Sequence, residues 1–258
     1  MDQNSEHARC CLEAAGFQAI YIDESDEERA DLLVSDDTAQ YVLEVKGKEV
    51  PDEFRTMVAE SDEKGIASIS RRISYKNRLD GIIRKAHSQL VTTPYPTSTF
   101  RVLWISCLLG DADFIHEQFE FTLFGKEELV VLPKDFQGTP SVLTCFYYNN
   151  SSFYRYKGLD AVILSGPKGG HLCINEFSNR SSSFRLSKMY GYFPETAIID
   201  PWRLEQAGKA LAIRTTIDRS DSQAKWKYIF DTYGYMLAPT QIHSFTGLIS
   251  VPLKEMET

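Results

Sequence analysis

The chain has 258 residues, 43% of them hydrophobic, and carries 36 acidic against 28 basic side chains, for a formal net charge of −8. That length and apolar content exclude a disordered chain and suffice for a sizeable core, either one large domain or one domain with a substantial extension. No apolar run approaches the roughly 20 residues of a membrane helix, and the polar start MDQNSEHARC is unlike a signal peptide, so a cytoplasmic protein with no membrane partner is expected.

Ser5 reads as an N-cap ahead of Ala8, Cys11, Leu12 and Ala15 at helical spacing, and Gly16 suits the left-handed position that ends a helix. Glu13 lies beside that stripe, four residues after Arg9, an ordinary exposed partner for it. Phe17–Ile22 reads as a strand and the acidic run Asp23–Glu28 as a solvated loop. Arg29–Lys48, RADLLVSDDTAQYVLEVKGK, then reads as a hairpin: strand Ala30–Val34, turn Ser35-Asp36-Asp37-Thr38, strand Gln40–Lys46. Alternation puts Tyr41, Leu43 and Val45 on one face and Val42, Glu44 and Lys46 on the other, and the hairpin brings Asp31 close to Glu44 and Lys46. Two carboxylates and one ammonium suit phosphodiester hydrolysis: the acids hold Mg²⁺ or Mn²⁺, which lowers the pKa of a bound water, and the lysine balances phosphate charge. The competing reading is a solvent-facing charge pair on a strand.

Glu49–Asp62 is polar and reads as a loop or short helix. Ile66, Ile69, Ile73, Leu79, Ile83, Ala86 and Leu90 recur three or four residues apart, with one six-residue gap, and predict an amphipathic helix over Ser68–Val91. Charge is uneven: residues 1–63 hold 18 acidic and 5 basic side chains, leaving 18 acidic and 23 basic for the rest. Lys64, Arg71, Arg72, Lys76, Arg78, Arg84 and Lys85 face a single acid, Asp80, within Lys64–Gln89, a pattern suited to phosphate contact. Phe100–Leu109 reads as a strand buried on both faces. Asp111, Asp113, His116 and Glu117 read as the capped start of a helix over Phe114–Phe124, in preference to metal ligands. Glu128–Leu132 then completes a strand-helix-strand unit of a mixed sheet.

A short helix, a hairpin bearing Asp31 and Glu44-Val45-Lys46, and a long basic helix occur in an order that resembles the PD-(D/E)XK nuclease superfamily over about residues 5 to 132. Ala30 stands where the name-giving proline is found, a position the family varies. The resemblance implies a restriction-endonuclease-like α/β fold, a mixed central sheet flanked by helices. It implies that Asp31 and Glu44 hold the metal with the Val45 carbonyl, and that Lys46 positions the attacking water or the scissile phosphate. Gln89 is implied as a support for Lys46, because Lys85-Ala86-His87-Ser88-Gln89-Leu90 resembles the family's supporting segment; a solvated helix face is the alternative. Glu13 is implied as a further metal contact; the charge pattern makes Arg71, Arg72, Lys76, Arg78 and Lys85 the expected nucleic-acid contacts, and Lys48 reaches the phosphate if the strand continues.

From Pro140 the chain turns to aromatic-rich short strands, Val142–Tyr148, Phe153–Tyr156, Asp160–Leu164 and His171–Phe177. Gly166-Pro167-Lys168-Gly169-Gly170 reads as a hairpin turn, since it lacks the ending of a phosphate loop. Asp200-Pro201 opens a predicted helix through Ile213, and a second covers Ser220–Tyr233. Cys10, Cys11, Cys107, Cys145 and Cys173 are odd in number and lack C-x-x-C spacing, so reduced thiols are expected. The expected organisation is a nuclease-like α/β core over residues 1–137 and a β-rich then helical C-terminal extension over 138–258, the two forming one domain or lying apart. The expected function is a metal-dependent endonuclease of restriction, phage defence or repair, acting on nucleic acid, DNA before RNA, as a homodimer or with a partner protein. Its alternatives are a nucleic-acid-binding subunit without turnover and an acidic protein that meets a basic partner.

Overall fold

A computed structural model of the chain describes residues 2–22, 29–48, 56–57, 59–61, 63, 66–73, 76–108, 112–134, 138–241 and 245–250. Its strands are β1 (Gln18–Tyr21), β2 (Leu32–Ser35), β3 (Gln40–Gly47), β4 (Ala67–Arg72), β5 (Phe100–Ser106), β6 (Glu127–Pro133), β7 (Ser141–Tyr147), β8 (Ala161–Gly166), β9 (Gly169–Ile174), β10 (Ile198–Ile199), β11 (Ala210–Ile213), β12 (Tyr235–Gln241) and β13 (Phe245–Ser250). Its α-helices are α1 (Gln3–Ala14), α2 (Asn77–Thr92), α3 (Ala112–Phe124), α4 (Ser152–Arg155), α5 (Ser181–Phe184), α6 (Lys188–Tyr192), α7 (Pro201–Gln206) and α8 (Ser222–Tyr233).

Seven strands form a mixed sheet in the order β1-β2-β3-β5-β8-β9-β10. The strands β3, β5 and β8 run parallel at its centre, β2 and β1 continue it in antiparallel pairs on one side, and on the other β9 is antiparallel to β8 while β10 is parallel to β9. Composition explains who sits in the middle: Phe100–Ser106 and Ala161–Gly166 are buried on nearly every residue, as strands covered on both faces must be. One face carries Leu43, Val45, Val102, Trp104 and Ile163 and packs on Ala8 and Leu12 of α1. The other carries Val42, Leu103, Ile105, Val162 and Leu164 and packs on α2 and α3. Helix α2 presents Leu79, Ile83, Ala86 and Leu90 at helical spacing, while α3 is apolar almost all round because a second sheet covers its far side. That second sheet has the order β11-β7-β6-β12, and β4 pairs with β13 in a separate ribbon. The fold is therefore α/β, a mixed multi-stranded sheet flanked by helices. Among the described residues no helix is long and apolar enough to cross a membrane.

Several expected elements change identity. The helix over Ser68–Val91 is a strand, β4, followed by α2; in β4 Ser68 and Ser70 are both exposed, the period of two that a strand requires, and the six-residue gap between Ile73 and Leu79 marks the break. The strand-helix-strand unit does not close the central sheet. Glu127–Pro133 pairs with β7 instead, since it buries Leu129 and Val131 but not their neighbours, and β8 takes the place beside β5. Residues 161–199 thus supply three strands of the central sheet, and 138–258 is interleaved with 1–137. Phe153–Arg155 lies in α4 and Tyr156 caps its C-terminus, while the Ser151 hydroxyl accepts from the Tyr154 N–H at its start. The helix opened by Pro201 stops at Gln206, and Ala210–Ile213 is a strand buried throughout. The predicted hairpin turn is borne out, with Gly166 paired to Gly169 around Pro167-Lys168. The acidic run Asp23–Glu28, Lys64, Asp111 and most of Glu49–Asp62 lie outside the described residues.

Candidate functional site

The turn of the β2–β3 hairpin fixes its register. Asp36 Oδ1 accepts from the backbone N–H groups of Thr38 at 2.7 Å and Ala39 at 2.9 Å, and its Oδ2 accepts from the Tyr41 hydroxyl at 2.9 Å. With the turn set, Ser35 pairs with Gln40 and Leu32 with Leu43, so Asp31 stands across from Glu44. A slip of one residue would turn Asp31 to the α1 face and separate the acids.

The ladder ends just before Asp31, whose N–H donates to the Leu43 carbonyl at 3.0 Å. Val45, two residues on, turns its backbone groups to the same side of β3, where β2 offers no further partner. Its N–H donates to Asp31 Oδ2 at 2.7 Å, which locks the carboxylate against the strand and leaves the Val45 carbonyl turned toward the same edge. Glu44 is 1% exposed, its Oε1 is ion-paired to Lys46 Nζ, and its Oε2 accepts no hydrogen bond among the described residues. Burial pushes the Glu44 carboxyl up to about 7, helped by the charge of Asp31 and opposed by Lys46. Burial also raises Asp31, against the pull of the Val45 N–H and of Lys46.

Asp31, Glu44 and Lys46 therefore come together on the sheet face that α2 covers. Gln89 is on that helix: its Nε2 donates to the Arg29 carbonyl at 3.4 Å, two residues before Asp31, and its buried Oε1 has no hydrogen-bond partner among the described residues. Glu13 does not join them. It lies on α1, across the sheet, and pairs with Arg9 Nη1 at 2.5 Å, because a helix packed on Leu43 and Val45 cannot reach the face of Glu44. Of the basic residues, Lys76, Arg78 and Lys85 are exposed on or beside α2. Lys48 follows β3 and donates its N–H to the Ser106 carbonyl at 2.8 Å. Arg71 and Arg72 are on β4, opposite Thr246 and Phe245, and not on the basic helix.

The donor set is suited to a hard divalent cation. Two carboxylates, one with a buried oxygen lacking a partner, and a strand carbonyl match the few protein oxygens that Mg²⁺ takes while keeping several waters. Among the described residues no three Asp, Glu, His or Cys side chains form a metal-binding group, so water would complete any such coordination.

A second polar cluster joins His116, set aside above as a metal ligand, to Glu120 and His171, which the sequence did not single out. Glu120 is 5% exposed in α3, its Oε1 2.8 Å from His171 Nδ1 and its Oε2 2.6 Å from Lys126 Nζ. The spacing of His116 and Glu120, four apart and so on one side of the helix in FIHEQFEFTLF, was the available signal. His171 is 51 residues away and only the topology brings it near. No family model, curated protein or solved structure matches the chain.

Proposed function

We propose that the chain is a metal-dependent nuclease that hydrolyses phosphodiester bonds of nucleic acid, DNA before RNA, on a restriction-endonuclease-like version of the α/β fold. The observation that carries the reading is the pairing of Asp31 with a buried Glu44 on one sheet face, with Lys46 against them. Burying a carboxylate with an open oxygen is costly, and a chain retains such an arrangement where a cation takes up the charge. Asp31, Glu44 and the Val45 carbonyl would hold Mg²⁺ or Mn²⁺, which supplies a bound water of lowered pKa and positive charge beside the phosphate. Lys46 holds its ammonium at that face and is the group available to bond the scissile phosphate or orient the attacking water. Gln89 fixes the Arg29 carbonyl just ahead of Asp31 and so supports the position of that acid. Exposed Lys76, Arg78 and Lys85 provide the phosphate-facing surface.

Cleavage of supercoiled plasmid and of oligonucleotides in Mg²⁺ and Mn²⁺, run beside gel-shift binding, tests this. Glu44→Ala is expected to abolish metal binding and cleavage together, since Asp31 alone leaves one anionic ligand. Lys46→Ala keeps both carboxylates, so metal and DNA still bind while turnover falls by orders of magnitude, as for a group acting in the transition state. Wild type that binds DNA but cuts nothing in either metal, or variants that cut as well as wild type, would overturn the nuclease and leave a binding subunit.

A further inference from the structure

The His116–Glu120–His171 cluster shares a sheet face with the candidate nuclease site but stands apart from it. The strand register runs Lys46 to Ile105, Ile105 to Leu164 and Leu164 to His171, one row across the α2 and α3 face. Three strand spacings separate Lys46 from His171, about 14 Å. His116 and His171 line a cavity of about 890 Å³ between the start of α3, the β8–β9 turn and the segment from Tyr192 to Ala197.

Each imidazole has one nitrogen fixed and one left over. His171 gives Nδ1 to the buried carboxylate of Glu120 at 2.8 Å, which leaves Nε2. His116 is 6% exposed; its ring bonds the Ser165 backbone carbonyl, and its Nε2 has no partner at all among the described residues. A buried ring nitrogen without a hydrogen bond is costly, and in a neutral histidine that atom is a lone-pair donor. The ring centroids are 5.8 Å apart at 53°. Two imidazoles sharing one tetrahedral ion, with metal–nitrogen bonds of about 2.1 Å, have centroids roughly 5.3 Å apart, so the two rings stand within about half an ångström of that separation. A histidine held by a carboxylate through its other nitrogen is the usual support of a metal ligand. The same cavity wall carries Asp113 and Glu117 together with Lys168, whose Nζ lies 3.5 Å from Asp113 Oδ2, which leaves it with an excess of one acid.

We propose that His116 and His171 form a second metal site, for a zinc-class divalent ion, with Glu120 orienting His171 and water filling the remaining positions. Nitrogen donors separate it in kind from the all-oxygen set at Asp31 and Glu44, which suits Mg²⁺. The site would tie β9 to α3, with water in the coordination positions that the two histidines do not fill.

The inference is independent of the nuclease reading, and its test removes the oxygen site first. Metal-stripped full-length chain carrying Asp31→Asn and Glu44→Gln is titrated with Zn²⁺ by calorimetry at about pH 7.5. The expected result is one Zn²⁺ per chain, with His171→Ala weakening it at least about tenfold. His171 is half-buried, so its truncation leaves the core intact; His116→Asn, at the buried position, is expected to weaken binding likewise. Co²⁺ gives a second readout, visible absorption of a tetrahedral ion that the His171→Ala chain lacks. Absence of stoichiometric Zn²⁺ binding in the Asp31→Asn, Glu44→Gln chain, or binding that His171→Ala leaves unchanged, would overturn the site.

Discussion

Replacing Glu44 by glutamine is expected to stabilise the metal-free protein, and the pH dependence of that gain identifies its cause. Burial, with the charge of Asp31, raises the Glu44 carboxyl from 4.5 to about 7. Between those values the folded chain holds a proton that the unfolded chain has lost, so wild-type stability falls as pH rises through the window. The difference of two to three pH units corresponds to about 3 kcal/mol, fully lost above the folded pKa. Glu44 is 1% exposed, so water does little to screen the penalty. The variant has no carboxyl to titrate there. Its advantage over wild type should be near zero at about pH 4 and grow to about 3 kcal/mol at about pH 8, a difference of roughly 6–12 °C in Tm for a chain of this size. Urea unfolding in EDTA across that range measures it. Adding Mg²⁺ at about pH 8 should then restore wild type and leave Glu44→Gln unmoved, because the ion binds only where the carboxylate is present. A stability difference that is flat with pH, or an equal Mg²⁺ effect on both proteins, would refute a buried, metal-seeking Glu44.

Two other outcomes follow from the surface and the topology. Neutralising Arg78 and Lys85 together should flatten the dependence of log binding constant on log salt by about 1.8, two phosphate contacts' worth; an unchanged slope would remove this face of α2 from the nucleic-acid interface. A chain ending at Gln137 loses β7, β11 and β12 from the second sheet and β8, β9 and β10 from the central one, baring the long apolar edge of β5, and is expected to be insoluble. A soluble, active fragment would show that residues 1–137 fold alone.

The hairpin was legible because every local signal agreed. Alternation fixed the faces of Tyr41 to Lys46, and the turn Ser35-Asp36-Asp37-Thr38 contained the aspartate that bonds its own backbone and sets the register. Once register is fixed, the meeting of Asp31 and Glu44 follows from counting residues along the two strands. The α2 stripe from Leu79 to Leu90 was equally plain. Ile66, Ile69 and Ile73 misled because spacings of three and four also fit a short strand with its flanks, and only the serines between them, exposed at Ser68 and Ser70, distinguish the two.

The choice of partner strands is a different kind of problem. Glu127–Pro133 and Ala161–Gly166 are both apolar enough to be strands, and chain order favours the nearer one as the neighbour of β5. What decides is how many faces must be dry. Beside β5 a strand meets α1 on one side and α3 on the other, so it needs apolar or small residues at every position, which Ala161-Val162-Ile163-Leu164-Ser165-Gly166 has and Glu127-Glu128-Leu129-Val130-Val131 lacks. That test is available in the residues, but it presupposes knowing that both faces are covered. The same limit hid the second polar cluster: Glu120 was visible as a buried acid only after α3 was seen to be enclosed, and an enclosed acid demands a partner, which β9 supplies as His171 once β8 stands where it does. The Asp31–Glu44 pair is a product of local register and could be read early, whereas the His116–His171 pair is a product of sheet order and needed the fold.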